Sequence, residues 1–125
     1  MKPVEEIILP ESELEIMIAV WNAEEALHRP VYSREINNYG SDYVKGIQTT
    51  TMITFLWRLV YKKFVSGKKE GRVTYYTSLV KRDDYLPRAL HTFISGVFSG
   101  DRVELAKLLV ADMSMNELAA THDIL

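Results

Sequence analysis

Apolar residues recur at helical spacing through most of this chain, with one strand-like interruption. Leu14, Met17, Ile18 and Trp21 follow a helical period, and Ser12 with Glu15 matches a capping box, so a first helix is predicted over residues 11–22. The polar stretch 22–31, which contains Pro30, reads as a loop. Ser33 is positioned to cap a short second helix over 34–39 with Ile36 facing inward. Gly40, Ser41, Asp42 and Gly46 mark a turn-rich connector.

A third helix is predicted to begin at Gln48 or Thr49. Met52, Phe55, Leu56, Leu59 and Lys63 fall on one face of it, with Thr50, Thr54, Trp57, Arg58 and Tyr61 opposite and Thr51 at the boundary. Three consecutive threonines are poor helix formers in mid-helix, because β-branching restricts their rotamers and their hydroxyls compete for backbone groups. At a helix start they are tolerated, since the backbone N–H groups there have no intrahelical partner. Those N–H groups and the helix dipole attract phosphate, and hydroxyls beside them can reach phosphates or base edges.

Phe64 and Val65 then read as a short strand and residues 73–79 as its return. The connection 66–72 holds two glycines, two lysines and an arginine, so a hairpin with Lys68, Lys69 and Arg72 projecting from its tip is expected. Beyond Val80 three helices are predicted. The first, over 85–97, has Asp83 or Asp84 as its cap and Pro87 in its first turn. The second covers 101–111. The last covers 114–124, with a capping box from Ser114 and Glu117.

This order predicts a mainly α fold with a small β-hairpin wing: a winged helix-turn-helix followed by a helical dimerisation region. The expected division is residues 1–81 for DNA binding and 82–125 for dimerisation. The broad apolar faces of the last three helices need a covering surface, and a second copy of the chain supplies one. The candidate dimerisation residues are Tyr85, Leu86, Leu90, Phe93, Ile94, Val97, Phe98, Leu105, Leu108 and Leu109.

Charge sharpens this picture. The formal net charge of 125 residues is only −2. Residues 1–31 carry 2 basic and 7 acidic groups, residues 32–82 carry 10 and 3, and residues 83–125 carry 3 and 7. A basic middle between acidic flanks is the footprint of a phosphate-binding face. The absence of cysteine excludes disulfides and Cys-ligated zinc and fits a reducing compartment. With no apolar stretch near membrane-spanning length, a cytoplasmic location is expected.

Catalytic chemistry finds no foothold. His28, His91 and His122 lie on three separate elements, so no metal site is expected. Asp83 and Asp84 sit where a helix cap belongs. Gly67 and Gly71 lack the Lys-Ser/Thr that a phosphate loop requires, and Ser95 with Gly96 lacks the nucleophile-elbow pattern. The expectation is a non-enzyme without cofactor.

These elements resemble the BlaI/MecI-type penicillinase repressor family, which also includes the CopY-type copper repressors. The segment LPESELEIMIAVW at 9–21 is similar to the family's opening helix, and Ser33, Arg34, Glu35 and Ile36 stand where its second helix begins. TMITFLWRLV at 51–60 resembles the recognition helix, and KEGR at 69–72 followed by Tyr75 and Tyr76 resembles the wing. Leu79, Val80 and Tyr85 match its exit. The resemblance implies a homodimer that binds a palindromic double-stranded DNA operator and represses transcription. Its DNA contacts correspond to Thr50, Thr51, Thr54 and Arg58, with wing residues Lys68, Lys69 and Arg72. Together with Ser33, Gln48 and Thr49 at the helix starts, these make up the candidate DNA-binding set.

The chain also departs from the family. Its 22–31 connection reads as longer. Lys63 stands where the family often has Gly, and Ile53 where some members carry a basic residue. The region 105–110 lacks the Asn-Phe pair at which β-lactam-responsive members are cleaved, and the paired cysteines of the copper-responsive branch are missing. Trp57 and Tyr61, on the face expected to meet DNA, motivate an alternative reading: a winged-helix protein-interaction module without specific DNA binding.

Overall fold

The computed structural model describes residues 2–125, which form two compact units, the first ending at Tyr85 and the second spanning Leu86–Leu125. Helix α1, Glu11–Leu27, follows a short 3-10 turn at Val4–Glu6 and carries Ile16, Met17, Ala19, Val20, Trp21 and Ala23 into the core. It starts after Pro10 with no side-chain cap, so Ser12 lies inside the helix and its capping box with Glu15 does not form. The helix also runs through residues 23–27, where a loop is expected from the sequence. Two tertiary contacts favour the extra turns: Ala23 is buried, and the Glu24 carboxylate accepts the Ser78 backbone N–H at 3.0 Å. His28 ends α1 in the left-handed region at φ 55°, its N–H returning to the Glu24 carbonyl at 2.8 Å.

Helix α2, Ser33–Asn38, begins one residue earlier than the spacing predicts, and the Tyr32 N–H donates to the Glu35 carboxylate at 3.2 Å. The glycine-bounded connector contains a further short helix, α3, Asp42–Gly46, capped by the Ser41 hydroxyl, which accepts the Val44 N–H at 3.3 Å. Gly40 permits this tight approach: a Cβ there would sit 2.2 Å from a Val44 methyl. Helix α4, Thr49–Tyr61, buries Met52, Leu56 and Leu59 and exposes Thr50, Thr54, Trp57, Arg58 and Tyr61, as the period predicts.

Lys63 does not continue the apolar face of α4. It leaves the helix at φ 65° and is exposed. Its N–H bonds the Val60 carbonyl at 3.0 Å, and the Phe64 N–H bonds the Leu59 carbonyl at 2.9 Å. This pair of bonds is a Schellman closure, which favours glycine at the left-handed position. Lysine there carries a steric penalty of roughly 1–2 kcal/mol.

Strands β1, Val65–Glu70, and β2, Val73–Ser78, pair antiparallel from Val65 with Ser78 to Glu70 with Val73. The hairpin is longer and its turn tighter than expected, because residues 66–70 belong to the strand. Only Gly71 and Arg72 form the turn, and Gly71 adopts φ 63° as a tight two-residue turn requires. Val31 forms an isolated antiparallel bridge to Tyr76 of β2 through two backbone bonds of 3.0 and 2.6 Å.

Tyr85 closes the first unit. Its ring is fully buried against Trp21 and Phe64, with centroids 6.0 and 5.6 Å away, and its hydroxyl accepts the Leu9 N–H at 2.8 Å. Trp21 donates its indole N–H to the Val80 carbonyl at 2.9 Å. Lys62 pairs with the buried Glu13 at 2.7 Å and ties the end of α4 to α1.

Helix α5 spans Arg82–Val97, with Asp83 and Asp84 inside its first turn rather than capping it. Pro87 lies beyond the first turn, where it removes one donor from the ladder. Helix α6, Arg102–Asp112, is capped by Asp101, whose carboxylate accepts the Glu104 N–H at 3.1 Å. Helix α7, Met115–Ile124, has the expected capping box: Ser114 Oγ accepts the Glu117 N–H at 3.2 Å, and Glu117 accepts the Ser114 N–H at 2.9 Å. These bonds hold the Glu117 carboxyl below its ordinary range.

Candidate nucleic-acid interface

Sequence and local geometry act together at the start of α4. Gln48 is its cap residue but makes no side-chain capping bond, and Thr49, Thr50 and Thr51 are all exposed. The first turn therefore presents N–H groups and hydroxyls with no carboxylate on the helix to compete for a cation or repel an anion. Thr54 is one turn on, its hydroxyl donating to the Thr50 carbonyl at 3.0 Å. With that proton engaged, Thr54 offers outward a methyl group and an acceptor oxygen. Arg58, one further turn on, is exposed, and its guanidinium carbon lies 5.4 Å from the Phe55 ring centroid, a cation–π contact that steadies the side chain.

Ser33 and Thr49 line one cleft of about 390 Å³ together with Tyr32, Arg34, Asn37, Lys45, Ile47 and Met52. The fold thus joins the starts of α2 and α4. Arg34 and Lys45 are two exposed cations of this cleft that motif reading missed. Their only signal in the sequence is membership of the basic 32–82 stretch.

The wing differs from expectation. Lys68 and Lys69 lie in β1, opposite Tyr75 and Thr74 respectively, so alternation sends them to opposite faces. Only Arg72 is in the turn. Lys68 shares a cleft of about 520 Å³ with Arg29, Pro30, Ser66, Glu70, Tyr75 and Thr77. Arg29 grips Glu35 through both its terminal nitrogens, one bond being 2.8 Å long. The hydrogen-bonded guanidinium holds the Glu35 carboxyl below its ordinary range, and the carboxylate raises Arg29 in turn. Glu35 therefore stays anionic and braces the α1–α2 connection.

Among the candidate dimerisation residues, Leu90, Phe93, Val97, Leu108 and Leu109 are exposed, and Leu86, Phe98 and Leu105 are partly so. Phe93 and Phe98 stack edge-on at 5.7 Å. Two members of the set are buried within the chain itself. Tyr85 is a core residue of the first unit, because a ring plus one hydroxyl fits the Trp21, Phe64 and Leu9 pocket, and Ile94 is buried. A helical apolar pattern alone does not separate such residues from surface ones.

A helix with a hydroxyl-rich start, led by two short helices and followed by a basic hairpin, defines a winged helix-turn-helix. The model of the penicillinase repressor family matches residues 9–125, and the chain belongs to that family of DNA-binding transcriptional repressors. It is 29% identical over 106 residues to a penicillinase repressor of Bacillus licheniformis, covering 80% of this chain and 72% of that protein. It is 24% identical over 116 residues to one of Staphylococcus aureus, covering 91% and 87%.

Proposed function

We propose that the protein represses transcription by binding a palindromic operator as a homodimer, with α4 in the major groove and the hairpin on the flanking phosphates. Thr50, Thr54 and Arg58 face the base edges. Ser33, Gln48, Thr49 and Thr51 sit at the helix starts where phosphates are held, and Lys68, Lys69 and Arg72 meet the backbone from the wing. The first unit reads DNA, and the exposed apolar residues beyond Leu86 join two copies. No helix among the described residues is long and apolar enough to cross a membrane, and the protein acts by binding rather than catalysis.

The observation that carries this reading is α4 itself: exposed along its outer face, threonine-headed and free of acidic residues. The test is selection of duplexes from a random-sequence pool by the full chain, followed by affinity measurement across a salt series. A recovered palindrome is expected, with log affinity falling linearly against log salt. Recovery of no consensus sequence, or affinity for the consensus equal to that for random duplex, would overturn the reading.

A further inference from the structure

The outer face of α4 carries two parallel ridges at four-residue spacing. One is Thr50, Thr54 and Arg58. The other is Ile53, Trp57 and Tyr61, all exposed, with Trp57 at 65% and Tyr61 at 71%. Three large apolar or aromatic side chains side by side on an uncovered helix face are costly to leave in water. The packing of the first unit does not use them, and neither do the polar DNA contacts proposed above.

Charge indicates what covers this ridge. Helix α4 has no acidic residue, its last turn carries Arg58, and the surrounding stretch 32–82 holds 10 basic and 3 acidic groups. The occupant is therefore a polyanion that also offers apolar groups. In the major groove the thymine C5-methyl is such a group, set among phosphates. Thr54, with its hydroxyl proton turned back onto Thr50, adds a methyl and an acceptor beside the ridge.

We propose that Ile53 and Trp57 select the operator by packing on thymine methyl groups, while Tyr61 packs on the adjoining sugar-phosphate. The proposal rests on the DNA-binding reading above and names the base feature that the second ridge reads. Arginine and threonine contacts set register along the site, and the apolar ridge discriminates thymine from any base lacking the methyl.

The test uses the full chain and the consensus duplex recovered by selection, with thymines replaced one at a time by deoxyuridine, which deletes only the methyl. Each contacted methyl is expected to be worth roughly a three- to five-fold loss of affinity, the effect of burying one carbon. In Ile53→Ala or Trp57→Ala the thymine-to-uracil ratio should fall to one at the position each residue touches. Both residues lie on the exposed face, and circular dichroism checks that the variants fold. Since Trp21 is buried, acrylamide quenching reports chiefly on Trp57 and should weaken on the duplex. Specific binding with equal affinity for thymine and uracil duplexes would overturn this inference and leave the repressor reading intact. So would a thymine-to-uracil ratio unchanged in both variants, which would return the ridge to a protein partner. Failure of the unmodified protein to select any duplex would overturn the repressor reading itself, and this inference with it.

Discussion

The two compact units of this chain treat their apolar residues in opposite ways. In the first, residues from α1, α2, α4, the hairpin and the start of α5 meet in a closed core, and Ile16, Met17, Val31, Ile36, Leu56, Leu59, Phe64 and Tyr85 lose essentially all contact with water. In the second, α6 and α7 contain no buried residue, and Leu90, Phe93, Val97, Val103, Leu108, Leu109 and Met115 remain exposed. The first satisfies its own hydrophobic surface through long-range contacts, whereas the second has helices, two of them capped, whose apolar sides remain exposed. Good caps define where a helix starts and ends, but they do not bury its face.

The largest effect that would break this contrast is expected at Tyr85. Tyr85→Ala removes a buried ring and a hydroxyl that holds Leu9, and should cost about 3–5 kcal/mol in urea denaturation. A loss under about 1 kcal/mol would show that the first core is not closed by this residue. Next in size is the proposed dimer face. The double variant Leu108→Asp, Leu109→Asp should sediment as a monomer at micromolar concentration and lose roughly 100-fold in operator affinity, since the second half-site no longer benefits from linkage. Retention of a dimer would move the interface elsewhere. The two variants together sharpen the comparison, because the first should damage folding and the second assembly.

A smaller effect of opposite sign is expected at the end of α4. Lys63→Gly relieves a side chain held at φ 65° within a Schellman closure and should stabilise the first unit by roughly 0.5–1 kcal/mol, after the added flexibility of the unfolded chain is subtracted. No gain in denaturation midpoint would mean that the lysine is compensated by contacts of its own.

The smallest effect compares one carboxylate from each unit. Glu35 is lowered by Arg29, and Glu117 by the Ser114 backbone and hydroxyl. A carboxylate lowered in the folded state contributes stability above its ordinary value of about 4.3, and that contribution is lost as pH falls through the lower folded value. For Glu35, whose partner Arg29 is half-exposed, solvent screening limits the contribution to under about 1 kcal/mol. Titration followed by carboxyl carbon NMR should place both groups below their ordinary value. Glu35→Gln should flatten the acid limb of the stability profile, and an unchanged limb would assign the acid sensitivity to other groups.

The legibility of these features follows their range in the chain. The face of α4, its threonine-rich start and the Ser114 and Glu117 box were readable because each depends on residues within one or two turns. The short helix at Asp42–Gly46 was hidden by its glycines and turn formers, since one helical turn leaves no period to detect. The wing was misjudged for a related reason. Ser66, Gly67, Lys68, Lys69 and Glu70 have poor strand propensity, and pairing with residues 73–78 overrides it. Arg34 and Lys45 were missed as members of the α2–α4 cleft because no motif links them.

By itself, then, the order of residues determined the helical periods, the Ser114 and Glu117 capping box, the segregation of charge and the identity of the groups on the outer face of α4. These are properties of neighbours along the chain, governed by backbone geometry and side-chain chemistry. Only the tertiary structure decided that α1 extends to Leu27, that Tyr85 belongs to the core and that Lys62 serves Glu13. It also decided that Lys68 and Lys69 face apart. Each of these depends on groups distant in sequence: Glu24 with Ser78, Leu9 with Tyr85, and Glu13 with Lys62. Burial and pairing of that kind have no local signature, because their free energy exists only once the partners have been brought together.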